Sequence, residues 1–165
     1  MRLRDALSRM RVRVSVAGGA ITGELHDDVV DLSFAPGCYE RASVQALEEH
    51  LVSLAQALHT EYVRQYYRAL SEAYQQTITK EPVAIGRQDR EYTERRQELV
   101  AEGRSAGDRI VITVRGMRSW QVRICAGTLR ALDERQFSAA FGEAARALIR
   151  AQFAGIRVLK DQVYG

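Results

Sequence analysis

One stretch of this chain recurs 90 positions later without a gap, and that recurrence limits the fold more than any other feature. Val30, Leu32 and Phe34 fall on Trp120, Val122 and Ile124, an apolar alternation in both copies. Gly37 falls on Gly127, where the alternation stops. Leu47, Leu51, Ala55, Ala57 and Leu58 then fall on Phe137, Phe141, Ala145, Ala147 and Leu148, and Val63 and Tyr66 fall on Phe153 and Ile156. Few positions are identical. The period nevertheless changes from two to about 3.6 at the same place in both copies, which reads as strand, turn and long amphipathic helix. A diverged tandem duplication accounts for it.

Taken in order, residues 1–9 read as a short helix and residues 11–17 as a strand with Val12, Val14 and Val16 on one face. Gly18-Gly19 reads as a two-residue hairpin turn. A second strand over 20–26 and a third over 29–35 complete a meander whose apolar face needs a cover. Ser43 is placed to cap the helix that follows, and Leu47, Leu51, Leu54, Leu58, Tyr62 and Tyr66 carry its stripe. A helix of about 33 residues is roughly 50 Å long, far longer than a strand of ~17–20 Å, so its end must leave its own sheet. Pro82 and Gly86 mark a linker over 80–88 between units at 1–79 and 89–165. In the second unit, a charged helix over 89–101 leads to a short strand at 99–102 and then to strands over 109–115 and 120–125. Asp133 with Gln136 forms a capping box for the last helix, whose stripe reads Phe137, Phe141, Ala144, Leu148, Phe153, Ile156 and Leu159.

The apolar fraction of 46% is that of a globular chain, and no apolar run approaches the ~18–20 residues of a membrane span. The reading is a cytoplasmic protein. Cys38 and Cys125 belong to no ligand cluster and read as free thiols. The charge is unevenly divided. Residues 1–79 hold 8 basic and 10 acidic residues, a net −2, whereas residues 80–165 hold 16 and 11, a net +5. A modestly basic second half is compatible with a polyanionic partner.

With both units in view, the chain resembles the YbaB/EbfC family of small nucleoid-associated proteins. The likeness is best in the second half, through Glu91–Ala101, Ile110–Gly116, Val122–Ile124 and Leu132–Arg150, including the run Phe141–Arg146. The first half matches more loosely, through Ala17–Gly23 and Leu47–Ala57. The resemblance implies an α+β fold of two such units, each a small antiparallel sheet followed by a long helix, packed as an intrachain pseudo-dimer. It also implies a nucleoid location and a non-enzymatic, sequence-tolerant hold on double-stranded DNA. Family members are usually single-unit homodimers, so the two units in one chain and their unequal charge depart from the pattern. Similar folds occur in accessory proteins associated with type VII secretion, which implies a protein-interaction or adaptor role as the alternative.

Arginines are the candidate DNA ligands: Arg115, Arg118 and Arg123 on the second sheet and its hairpin, Arg87, Arg90, Arg95 and Arg96 before it, and Arg146, Arg150 and Arg157 on the last helix. Contacts from such groups would be to phosphate, hence salt-sensitive. The same residues also fit a solvated face paired with Glu91, Glu94 and Glu143. Tyr62, Tyr66, Tyr67 and Tyr74 keep the helical stripe and read as packing against the second repeat or as the candidate protein interface, for a partner or for self-association. No catalytic constellation, metal-ligand set, cofactor motif or small-molecule site is expected. His50 and His59 fall on opposite sides of a helix, and Asp27-Asp28-x-x-Asp31 reads as a solvated turn.

Overall fold

The computed structural model describes residues 3–165 and is α+β. Helix α1 (Leu3–Ser8) precedes an antiparallel sheet of β1 (Val12–Val16), β2 (Ile21–His26) and β3 (Val29–Phe34), followed by helix α2 (Val44–Tyr74). Helix α3 (Gly86–Glu98) opens the second half. It leads into a second antiparallel sheet of β4 (Val100–Arg104), β5 (Ile110–Arg115) and β6 (Ser119–Ile124). A short helix α4 (Thr128–Ala131) then precedes α5 (Glu134–Tyr164). The bounds of β3 and β6 differ by 90 positions at both ends, and so do those of α2 and α5. Both long helices are also capped at corresponding places. The Ser43 hydroxyl accepts from the Ala46 amide, and Asp133 forms a full capping box with Gln136.

Neither long helix stays on its own sheet. Helix α2 packs on β1 and β2 but also on β6, whereas α5 packs on β4 and β5 and also on β3. The sequence reading covers the first sheet with the helix after it, and β3 is where that assignment fails, because α5 packs on it. The join is specific. Tyr39, Phe34 and Phe137 form an aromatic cluster with centroids 5.4–6.1 Å apart, and the Tyr39 hydroxyl donates to the Leu132 carbonyl at 2.6 Å. On the other side, Glu48 of α2 accepts the amide of Ile124 at 2.8 Å. That amide points away from β5, because Cys125 N bonds Arg109 O and the ladder alternates from there.

Two glycines set how closely the layers approach. A methyl group on Gly103 of β4 would lie 2.0 Å from the Ala144 carbonyl and 2.4 Å from the Leu148 amide, both backbone atoms of α5. One on Gly142 of α5 would lie 2.9 Å from the Val30 carbonyl of β3. One helix therefore touches its own sheet and the other half's sheet at backbone distance. The core this creates is continuous, running from Val12, Leu47, Leu51 and Leu54 to Ile110, Val114, Phe137 and Phe141.

Several details differ from the sequence reading. The turn at Gly18-Gly19 is longer than two residues, because Ala17–Gly19 forms a short 3-10 turn closed by the Ala20 amide on the Ala17 carbonyl. Helix α3 begins at Gly86, so the end of the expected linker is helical. The N-cap residue, Ile85, has no capping side chain, and its own amide donates to the Asp89 carboxylate at 3.3 Å. The same helix ends at Glu98, and the chain from Val100 is strand. Phe153 is the largest departure. It is 60% exposed, although its stripe reads as core. The short N-terminal helix is present as Leu3–Ser8, and the first two residues of that expectation lie outside the described residues.

Candidate nucleic-acid interface

The outer faces of the two sheets carry different chemistry at equivalent positions. In the first sheet, register aligns Ser15, Thr22 and Ser33 in one cross-strand row, with the Ser15 and Thr22 hydroxyls 2.8 Å apart. The matching row of the second sheet is Arg104, Val111 and Arg123. Val111 faces outward yet is only 4% exposed, a burial the stems of its two arginine neighbours can supply. Arg118 stands in the β5–β6 hairpin and Arg115 at the end of β5, so the second sheet's outer side and its turn are arginine-rich.

Ion pairing divides the ten candidate arginines. Arg115 pairs with Glu98 and Arg96 with Glu81. Arg95 lies 3.7 Å from Glu91 and donates to Gln162 at 2.5 Å. Arg146 and Arg150 both donate through Nε to one oxygen of Asp28, at 3.3 and 3.1 Å. Chiefly through the Arg150 hydrogen bond, and despite slight burial, these contacts hold the Asp28 carboxyl below its ordinary pKa. Arg87, Arg90, Arg118, Arg123 and Arg157 are exposed and have no ion-pair partner among the described residues. Of the acids expected to neutralise the arginines, only Glu91 does so. Glu81, Glu98 and Asp28 take that role, and the turn that reads as merely solvated is a clamp between halves. Nothing in the sequence links Asp28 to arginines 118 and 122 residues away.

Arg104 is absent from the sequence-derived candidates. It pairs with Glu102 at 3.1 Å and Asp108 at 3.0 Å, which raises its pKa and mutes its charge towards a ligand. Strand alternation within β4 places it on the outer face once that strand is read to its full length.

The tyrosines divide in a similar way. Tyr62 and Tyr66 stack with centroids 6.3 Å apart, and Tyr66 meets Tyr67 edge-on at 5.7 Å. Burial raises the pKa of Tyr62 and of Tyr67. These three are part of intramolecular packing, whereas Tyr74 is 62% exposed at the end of α2. Its counterpart Tyr164, at the end of α5, donates to Asp89 of α3 at 2.6 Å and packs on Tyr92, and the hydrogen bond pushes its pKa up to about 12.

Two depressions flank α5. A shallow groove of about 620 Å³ runs between β3 and α5 past Val29, Asp31, Gly142 and Arg146. A second cavity of about 520 Å³ opens between α1, the β2–β3 turn, α2 and α5, beside Tyr62 and Phe153. Among the described residues no group of three or more His, Cys, Asp or Glu side chains is arranged to hold a metal ion, and no helix is long and apolar enough to cross a membrane. No protein-family model matches the chain, and neither the curated proteins nor the solved structures include a significant match.

Proposed function

We propose that this chain is a non-enzymatic, sequence-tolerant DNA-binding protein of the nucleoid-associated kind, built from two YbaB/EbfC-like units packed as an intrachain pseudo-dimer. The exchange of α2 and α5 between sheets, with matching bounds in both halves, supports the pseudo-dimer. The observation that carries the DNA reading is the pair Arg123 and Arg118, exposed and without an ion-pair partner among the described residues, on the outer side and hairpin of the second sheet, where the first sheet has the neutral row Ser15–Thr22–Ser33. Arg123 and Arg118 are the ligands of choice, because neither is neutralised by a neighbouring carboxylate. Arg87, Arg90 and Arg157 extend the positive field. Arg95, Arg96, Arg115, Arg146 and Arg150 contribute less, since a phosphate must compete with an acid already in place. All the proposed ligands lie in the second half, which fits the net −2 of the first half. A gel-shift titration against random duplex DNA at ~50 mM salt tests the reading, since phosphate-directed binding is strongest at low ionic strength. A complete absence of a shifted species there rejects it.

A second reading, a protein-interaction adaptor of the kind associated with type VII secretion, is favoured by a separate observation. Tyr74, Val83, Ile85, Phe153 and Val158 are all more than half exposed, and large exposed apolar side chains often mark partner surfaces.

A further inference from the structure

The outward face of α5 carries a stripe that the function proposed above leaves largely unused. Arg146, Arg150, Phe153, Arg157, Lys160 and Tyr164 follow one another at alternating spacings of four and three, so all six lie along one side of the helix. Phe153 stands in the middle with 60% of its surface exposed and cations on both sides. Arg157 and Lys160 have no ion-pair partner among the described residues, and Asp28 alone is shared between Arg146 and Arg150. Glu143 and Asp161 are the acids nearest the stripe on the same helix, each set towards one flank. Tyr164 is held by Asp89 and closes the far end.

Beside Phe153 lies the cavity of about 520 Å³, whose walls are Leu7, Met10, Val12, Leu25 and Tyr62. Asp27, Asp28 and Arg150 form its polar rim. Its size suits one bulky side chain. The apolar wall and the free cations together define an occupant: something acidic that also carries a large apolar group.

We propose that the cavity beside Phe153 and the cationic stripe of α5 form a docking site for an acidic peptide segment bearing one bulky apolar side chain. The apolar group enters between Tyr62 and Phe153, and carboxylates on either side meet Arg157 and Lys160 and the η-nitrogens of Arg146 and Arg150. Nucleic acid fits this face less well. A base would stack on the Phe153 ring, but sugar and phosphate would leave the apolar cavity unfilled. This site specifies the partner chemistry for the adaptor reading and does not rest on DNA binding.

The test uses the full chain and fluorescence anisotropy with a labelled peptide of about twelve residues, rich in Asp and Glu around a central tryptophan. Controls are the same peptide with serine in place of tryptophan, a random single-stranded oligonucleotide and a random duplex. The tryptophan peptide is expected to bind, and Phe153→Ser is expected to weaken it about tenfold or more, as for an aromatic anchor. The pair Arg157→Glu and Lys160→Glu should do the same, and the serine peptide should bind correspondingly worse. Phe153 is exposed, so Phe153→Ser retains the fold, which far-ultraviolet circular dichroism verifies. Failure of the tryptophan peptide to bind, or equal binding of the serine peptide or by Phe153→Ser, overturns the proposal. So does a single-stranded oligonucleotide that displaces the peptide and loses affinity equally on Phe153→Ser. Duplex binding that survives Phe153→Ser while peptide binding falls supports it. Absence of peptide binding with duplex binding intact defeats this inference alone, and the reverse result defeats only the DNA reading.

Discussion

Arg150 donates from Nε to Asp28 Oδ2 across 3.1 Å, tying the last helix of the chain to a turn in its first sheet. Arg146 reaches the same oxygen from one turn earlier. One carboxylate thus restrains two guanidiniums and subtracts from the charge they offer to any anion. Replacing it separates stability from binding. Asp28→Asn should cost on the order of 1 kcal/mol or less in urea unfolding, because the pair is largely exposed. It should also tighten binding to random duplex DNA at low salt. Looser or unchanged duplex binding would place these arginines outside the DNA face.

The Gly103 position gives a sharper stability prediction. Its added methyl group would meet the α5 backbone and not a side chain that can swing away. Gly103→Ala should lower stability by at least ~1–3 kcal/mol, the cost of overpacking a close-packed layer. Chemical denaturation measures it, and a change below about 0.5 kcal/mol, typical of unconstrained surface sites, would mean the helix does not approach β4 so closely.

Glu48 is the corresponding test of the other crossing. Its carboxylate serves a strand-edge amide from the opposite half, 76 residues away. Glu48→Ala leaves the Ile124 amide without that acceptor and should cost roughly 1–3 kcal/mol. Hydrogen exchange at Ile124 should accelerate in the variant. Unaltered protection would show that β6 is covered without α2.

His59 supplies a pH signature. It packs against Trp120 with centroids 6.3 Å apart, and burial lowers its pKa from the ordinary value near 6.5. The unfolded chain therefore binds this proton more readily than the folded one, so stability should fall as pH drops below about 6.5, until the lower folded pKa is passed. Urea midpoints at two pH values spanning that window should differ, and His59→Leu should narrow the difference. An equal difference in the variant would assign the effect to other groups.

Much of the scaffold is readable in the residues, for identifiable reasons. The α2 and α5 caps are local, made by Ser43 and Asp133 with their third neighbours, and local hydrogen bonds leave local spacing. The strand alternation of Ile110, Ile112 and Val114 likewise records the face of β5 that meets the core. The start of α3 escapes such a reading because Gly86 is a weak helix former and the N-cap residue, Ile85, offers no capping side chain. Phe153 reads as core because it is apolar and near the period, yet it stands five residues after Leu148, roughly 140° round the helix from the line that stays buried through Leu159 and Val163. Among the arginines, composition and strand alternation point correctly to Arg118 and Arg123 as exposed groups. The neutralisation of Arg146 and Arg150 is invisible in the sequence, since it depends on a helix crossing onto the other half's sheet.

The central claim is that Arg123 on the outer face of the second sheet and Arg118 in its hairpin hold DNA phosphate, and the salt dependence of duplex binding tests it most directly. For the native chain, log affinity should fall linearly with log salt concentration. Replacing Arg118 and Arg123 together by Ala should flatten that slope by about 2, one unit for each phosphate no longer neutralised. A native slope near zero, or a slope unchanged in the double variant, would contradict the account.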